Sequence, residues 1–205
     1  MNFYRFSISW ARILPDGDIS NVNTDGVQYY NKLIDELINN DIQPMITMYH
    51  YDLPQFIQQI GGLTNPIFVR YFKEYARLLY VHFGSRVKHW ITFNEPVDFC
   101  IEGYGTGIAA PQMPASGVGE YLCIDNVLKA HAAAYQVYNT EFRKKFGGKI
   151  GITLSSRFFY AKDNDTDVVD RAMQFQVRLF TVFIMIHYKR NNVACFFFHY
   201  STIFA

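Results

Sequence analysis

Val87-Lys88-His89-Trp90-Ile91-Thr92-Phe93-Asn94-Glu95-Pro96 is the stretch from which the fold is read. Val87 to Phe93 is a short run of apolar, aromatic and β-branched residues, the composition of a buried strand. Asn94-Glu95-Pro96 ends it with two polar residues and a ring that stops further pairing. Working outward, comparable units recur. Residues 44–50 are rich in Ile, Thr, Met and Tyr and end in His50-Tyr51-Asp52-Leu53-Pro54. Near the N-terminus, Phe6, Ile8 and Trp10 alternate with Arg5, Ser7 and Ser9, a strand period. A fourth strand is expected over residues 149–155.

Between these strands the apolar period changes to that of a helix. Val27, Tyr30, Ile34 and Leu37 mark a helix over residues 25–40, widened by Leu33 and Ile38. Val69, Phe72, Ala76, Leu79 and Phe83 mark a second over residues 66–83, with Thr64 or Asn65 as cap, Pro66 in its first turn and Gly84 as its stop. A loop rich in Gly, Ala and Pro is expected over 103–119, then a third helix over 121–146 ended by Gly147-Gly148. A fourth helix is expected to begin near Asp167. Four alternations of strand and helix predict an α/β protein with a parallel sheet, either an open doubly wound sheet or an eight-fold βα barrel. A dinucleotide-binding sheet needs a Gly-x-Gly-x-x-Gly turn opening a helix. Gly103-Tyr104-Gly105-Thr106-Gly107 has the wrong spacing and no helix directly after it, so a nicotinamide cofactor is not expected.

Composition narrows the function classes. Half of the 205 residues are apolar and the net charge is +1 with signs mixed along the chain, so neither disorder, nucleic acid nor an acidic membrane surface is called for. Fifteen Tyr and nineteen Phe are mostly core material, with a few rings available for stacking on a sugar. Cys100, Cys123 and Cys195 do not read as a disulfide framework and lack metal-ligand spacing. No metal and no cofactor are expected. Met1-Asn2-Phe3-Tyr4-Arg5 has no apolar stretch of a signal peptide. Asn164-Asp165-Thr166 is a glycosylation sequon.

In a βα barrel the active site lies at the C-terminal ends of the strands. Glu95 stands at such an end, beside Trp90, Ile91 and Phe93. Desolvation there would raise its pKa and keep it protonated, as a general acid requires. The alternative is a capping or solvent-facing Glu. His50 and Asp52 follow the second candidate strand; His50 is either a hydrogen-bond donor to a sugar hydroxyl or a satisfied core histidine. Arg5, on the polar side of the first strand, is either a site residue or half of an ordinary buried ion pair.

These residues also carry a resemblance. Tyr4-Arg5-Phe6-Ser7-Ile8-Ser9-Trp10 resembles the second-strand motif of family-one glycoside hydrolases, and Tyr49-His50-Tyr51-Asp52-Leu53-Pro54 their third-strand motif. Gly61-Gly62 and Phe83-Gly84-Ser85-Arg86-Val87-Lys88 match the stretches that follow. Thr92-Phe93-Asn94-Glu95-Pro96 resembles the fourth-strand motif that carries the acid/base, and Lys149-Ile150-Gly151-Ile152 the start of the fifth strand. The likeness runs from about Asn2 to Phe175, with the flavour of animal β-glucosidases, lactase-phlorizin-like enzymes and myrosinases. It implies about four βα units of a (β/α)8 barrel, the second to fifth strands, over residues 1–176. It implies a β-glycoside as substrate and a retaining mechanism that uses two carboxyls about 5–5.5 Å apart. Glu95 would be the acid/base, Asn94 would hold the sugar 2-hydroxyl, His50 another hydroxyl of the same ring, and Arg5 would orient the nucleophile carboxylate. Plant myrosinases have Gln where Glu95 stands, which favours O-glycosides here. Tyr51 replaces the family's usual Trp and still offers an aromatic wall.

Two departures shape the expectation for this chain. It is read as starting at the second strand and as lacking strands six to eight with the nucleophile, so a poorly soluble and inactive product is expected. Residues 177–205, including Val177-Arg178-Leu179-Phe180-Thr181-Val182-Phe183-Ile184-Met185-Ile186, read as an apolar tail unlike the family. The run is shorter than the roughly 20 residues a membrane span needs, so a translated intron or frameshift is favoured over an anchor. Secretion or a lysosome-like compartment is what the resemblance implies for full-length members. A non-catalytic glucoside-binding or interaction remnant is the second expectation.

Overall fold

The computed structural model describes residues 1–155. The helix expected near Asp167, the Asn164 sequon, Cys195 and the apolar tail lie outside the described residues. In chain order the elements are β1 (Phe3–Ser7), α1 (Trp10–Ile13), α2 (Thr24–Asn39), β2 (Gln43–Tyr49), α3 (Gln55–Gln59), a 3₁₀ turn (Gly62–Thr64), α4 (Phe68–Phe83), β3 (His89–Asn94), α5 (Pro96–Cys100), a π-helical segment (Ile101–Thr106), α6 (Gly119–Val137), a second π-helical segment (Tyr138–Phe142), α7 (Arg143–Phe146) and β4 (Lys149–Thr153).

The strands form one parallel sheet in the order β1-β2-β3-β4. That order decides between the two architectures left open by the strand and helix pattern, and agrees with the barrel that the resemblance implies. Parallel crossovers are right-handed, so connections that always step the same way put every helix on the same face. A doubly wound sheet reverses direction and has helices on both faces. Here the sheet never reverses, and the helices pack on one face. Phe93 stacks on Phe72 of α4 at 4.2 Å, Trp90 meets Tyr80 of α4 edge-on at 5.2 Å, and the Thr92 hydroxyl is 2.7 Å from His131 Nδ1 of α6. This is the wall of a βα barrel. The other face holds a hollow of about 420 Å³, lined by Phe3, Met45, His89, Ile91, Lys149 and Gly151 among others. None of the candidate site residues lines it.

The expected elements shift in informative ways. β1 ends at Ser7, and Trp10 opens α1 instead of extending the alternation. Trp10 is nonetheless fully buried, its ring stacked on Tyr75 at 4.5 Å. α4 begins at Phe68 rather than Pro66; Asn65 Oδ1 accepts from the Ile67 amide at 3.0 Å, and Gly84 closes the helix with its amide on Tyr80 O at 2.9 Å. The third long helix is interrupted by π-helical turns after Val137. The first part of the expected 103–119 loop is itself π-helical.

One expectation is corrected outright. Cys100 and Cys123 form a disulfide, with Cα atoms 5.6 Å apart and both residues fully buried. A separation of 23 residues carries no pairing signal in a sequence. The proximity arises only because the chain turns back through the 101–118 segment and lays the start of α6 beside the end of α5.

Candidate active site

The C-terminal ends of β1, β2 and β3 bring together all five candidate residues. Arg5 stands opposite Met45 in the register, and its long side chain reaches toward the strand ends, where the guanidinium meets Thr47 and Asn94. Its Nε donates to Thr47 Oγ1 at 3.0 Å and its Nη2 to Asn94 Oδ1 at 2.5 Å. Asn94 is buried, and the β3–β4 register is irregular between Ile91 and Asn94. Such an irregularity re-aims the side chains at a strand end. Thr92 and Phe93 both meet helix residues, while Asn94 is delivered to Arg5.

Glu95 follows at once, in the left-handed region at φ 50°. Its amide donates to Thr153 O of β4 at 2.9 Å, which ties the residue to the end of the neighbouring strand. Tyr51, at the end of β2, also has a positive φ, 66°. Non-glycine residues held there store strain, and such strain clusters at functional sites. These two residues meet: the Tyr51 hydroxyl donates to Glu95 Oε2 at 3.2 Å. Burial first, and then the nearby Glu95 charge, pushes the Tyr51 hydroxyl far above its usual pKa of 10, and the Asn94 side chain also hydrogen-bonds it. Tyr51 therefore keeps its proton and acts as a donor. Arg5, Asn94, Tyr51 and Glu95 form one continuous polar chain across the strand ends.

His50 lies beside them, exposed, its ring edge-on to Tyr51 at 5.2 Å. It is not a core histidine; that role belongs to His131, which is fully buried against Thr92. Desolvation, then the Arg5 charge, lowers the His50 pKa below 6.5, with Asp52 and Glu95 pulling the other way. A neutral imidazole presents one donor and one acceptor to a ligand hydroxyl. Asp52 is turned to another task. Its carboxylate accepts from the His50 amide at 3.2 Å and is bonded by the Ser9 hydroxyl and the Trp10 amide. It thereby stitches the β1–α1 turn to the end of β2. Burial raises its pKa despite those bonds.

Phe99 is a part of the site without a local signal in the sequence. Its ring stands edge-on to both Tyr49 at 5.3 Å and Tyr51 at 5.5 Å, and so backs the wall that faces Glu95. Among the described residues no group of three or more His, Cys, Asp or Glu is arranged to hold a metal ion, and no helix is long and apolar enough to cross a membrane.

Comparison with known proteins gives the arrangement its family. The model of glycosyl hydrolase family 1 matches residues 1–196. Myrosinase 1 of Brevicoryne brassicae is 49% identical over 180 residues, which cover 86% of this chain and 39% of that protein. Human lactase/phlorizin hydrolase is 45% identical over 180 residues, 85% of this chain and 9% of its own much longer sequence. Among solved structures, an aphid myrosinase superimposes with a TM-score of 0.79 at 48% identity, covering 86% of this chain and 39% of that one. The rice Os3BGlu6 β-glucosidase gives 0.78 at 37% identity, with the same coverage. The chain thus spans about two fifths of the length of the Brevicoryne brassicae and rice relatives, and its four-stranded parallel sheet with its packed helices is consistent with a segment of their barrel. On the sequence match and the barrel geometry together, the chain belongs to glycosyl hydrolase family 1.

Proposed function

We propose that this chain contributes the acid/base side of a retaining β-glucosidase site, with Glu95 as the acid/base. The observation that carries this reading is the position of Glu95: at the C-terminal end of a barrel strand, in a strained backbone, with a carboxylate oxygen held by the Tyr51 hydroxyl. A carboxyl so fixed can protonate the glycosidic oxygen as the bond to the anomeric carbon breaks, and can then take a proton from the water that attacks the same carbon. Asn94, with its Oδ1 on Arg5, is oriented to present its amide group to the sugar 2-hydroxyl, a contact that strengthens as positive charge develops on the ring. Neutral His50 binds a further hydroxyl, and Tyr51 supplies an aromatic wall. Arg5 is set to orient the second carboxylate that the retaining reaction requires. None of this chain's residues is assigned to that second role, and no glutamate follows Glu141 in the sequence.

A chimera tests the proposal: residues 1–153 replace the matching part of the aphid myrosinase. β-Glucoside hydrolysis by the chimera is expected. Its Glu95→Gln variant should lose about 10²–10⁴-fold in rate on substrates with poor leaving groups, the range for removal of a general acid. An unchanged rate in Glu95→Gln would overturn the assignment. The 39% coverage of the relative favours a second reading for the chain alone, a half-site that binds glucosides without turning them over. Saturable glucoside binding by the isolated chain, with no product released, would support it.

A further inference from the structure

We propose that the Cys100–Cys123 disulfide is a positioning element of the candidate site, holding the aromatic wall that presents the Tyr51 hydroxyl to Glu95. The proposal deepens the reading of Glu95 as acid/base and rests on it.

α5 leaves Glu95 directly and is five residues long. It runs without a break into the π-helical segment Ile101–Thr106, so its position depends on what this joined helix is tied to. Three of its contacts lead to the site or to α6. The Asp98 amide bonds back to Glu95 O at 3.1 Å, the Phe99 ring sits between Tyr49 and Tyr51, and Cys100 is bonded to Cys123. Cys123 lies near the start of the 19-residue α6, whose Tyr138 end and His131 pack on Tyr80 and Thr92. The bridge therefore anchors the C-terminal end of α5, where it passes into the π-helical segment, to the longest helix of the described chain. Phe99 is the residue next to the bridged one, and its ring touches Tyr51, whose hydroxyl is on Glu95.

The segment the bridge encloses belongs to the same end of the sheet. Tyr104 donates to Gln58 Oε1 at 2.8 Å and accepts from the Leu63 amide at 3.1 Å, while Ile108 and Val118 are 73% and 61% exposed. The chain between the two cysteines is thus held at Tyr104 and folded on itself by backbone bonds from Met113 to Gly103 and from Ala115 to Gly105, and the bridge closes this segment at its α5 end onto α6. Both cysteines are fully buried, so a dithiol reaches the bridge in the folded chain through local opening of α5 and α6.

The test reads the coupling between Tyr51 and Glu95 without any need for turnover, so its failure is distinct from failure of the glucosidase reading. A non-reducing peptide map comes first; finding Cys100 and Cys123 as free thiols overturns the proposal. The chain is then labelled at tyrosine Cζ with ¹³C, and the Tyr51 resonance is identified by its loss in Tyr51→Phe. In the bridged chain Glu95→Gln is expected to shift that resonance. In the Cys100→Ser/Cys123→Ser background the shift is expected to fall by half or more. A retained shift in the folded serine pair overturns the proposal. If the serine pair does not fold, the folded wild-type chain is reduced with a dithiol, which is oxidised to its own disulfide as the two sulfurs take up two protons and two electrons. The same comparison is then read. A retained shift, or global unfolding on reduction, overturns the proposal in favour of a purely structural bridge.

Discussion

Phe72→Ala is the substitution that most directly tests whether the site stands on a tightly packed wall. Phe72 is fully buried on α4. Its ring stacks on Phe93 at 4.2 Å and meets Trp10 at 5.7 Å, Phe68 at 5.9 Å and Tyr75 at 6.1 Å. Phe93 immediately precedes Asn94 and Glu95, so this ring supports the strand end that carries the site. Truncating a buried Phe to Ala costs about 3–5 kcal/mol, the lost transfer energy plus the cavity left behind. Each well-placed aromatic pair adds about 0.5–1.5 kcal/mol. With no exposure and four aromatic neighbours, the loss should lie in the upper half of that range, about 4 kcal/mol. For a chain of this size that is a fall in Tm of about 8–16 °C. Phe72→Leu keeps most of the volume and should cost about 1 kcal/mol. Urea denaturation of the three proteins, followed by tryptophan fluorescence, measures both differences. A Phe72→Ala loss below about 1.5 kcal/mol would refute the reasoning, since a void that closes so readily is not a close-packed wall.

Three further outcomes are expected. Arg5→Met leaves the buried Asn94 Oδ1 without its guanidinium donor and should cost about 1–3 kcal/mol in chemical denaturation; a neutral effect would mean that Arg5 does not organise the strand ends. His50 has a folded pKa depressed below 6.5, so between that folded value and 6.5 the unfolded chain carries the extra proton. The stability tied to neutral His50 is complete above 6.5 and is lost as pH falls through the folded value. Thermal midpoints at pH 7.5 and 5.5 should accordingly differ less in His50→Gln than in wild type, and a larger difference would contradict the sign. Gly148 has φ 98°, and a Cβ there would stand 2.7 Å from Lys88 O. Gly148→Ala should therefore destabilise the β4 entry by more than 1 kcal/mol in the same denaturation assay, by the usual penalty for a side chain in the left-handed region; no loss would show that the turn relaxes freely.

Much of the candidate site is legible in the sequence. Glu95, Asn94, His50 and Arg5 stand out as polar residues on or after apolar strand runs, which point to the active face of a βα barrel, and Tyr51 enters through the family resemblance; the fold brings these five residues together. The alternation rule failed at two places for physical reasons. At Trp10 the chain had already turned into α1, where an apolar ring is buried by helix contacts rather than by strand parity. At Phe93 and Asn94 the β3–β4 irregularity breaks the period of two. Asp52 looked like a site residue from its place after β2, but its carboxylate is spent on the Ser9–Trp10 turn.

By itself the sequence determined the secondary elements, the parallel sheet and the polar strand ends, because apolar period and strand-end composition are local properties of the chain. The tertiary structure alone decided the Tyr51–Glu95 hydrogen bond, the Phe99 wall and the Cys100–Cys123 bridge. Each of these joins residues from different elements, and such pairings depend on how helices and strands pack in space, which no local pattern of residues encodes.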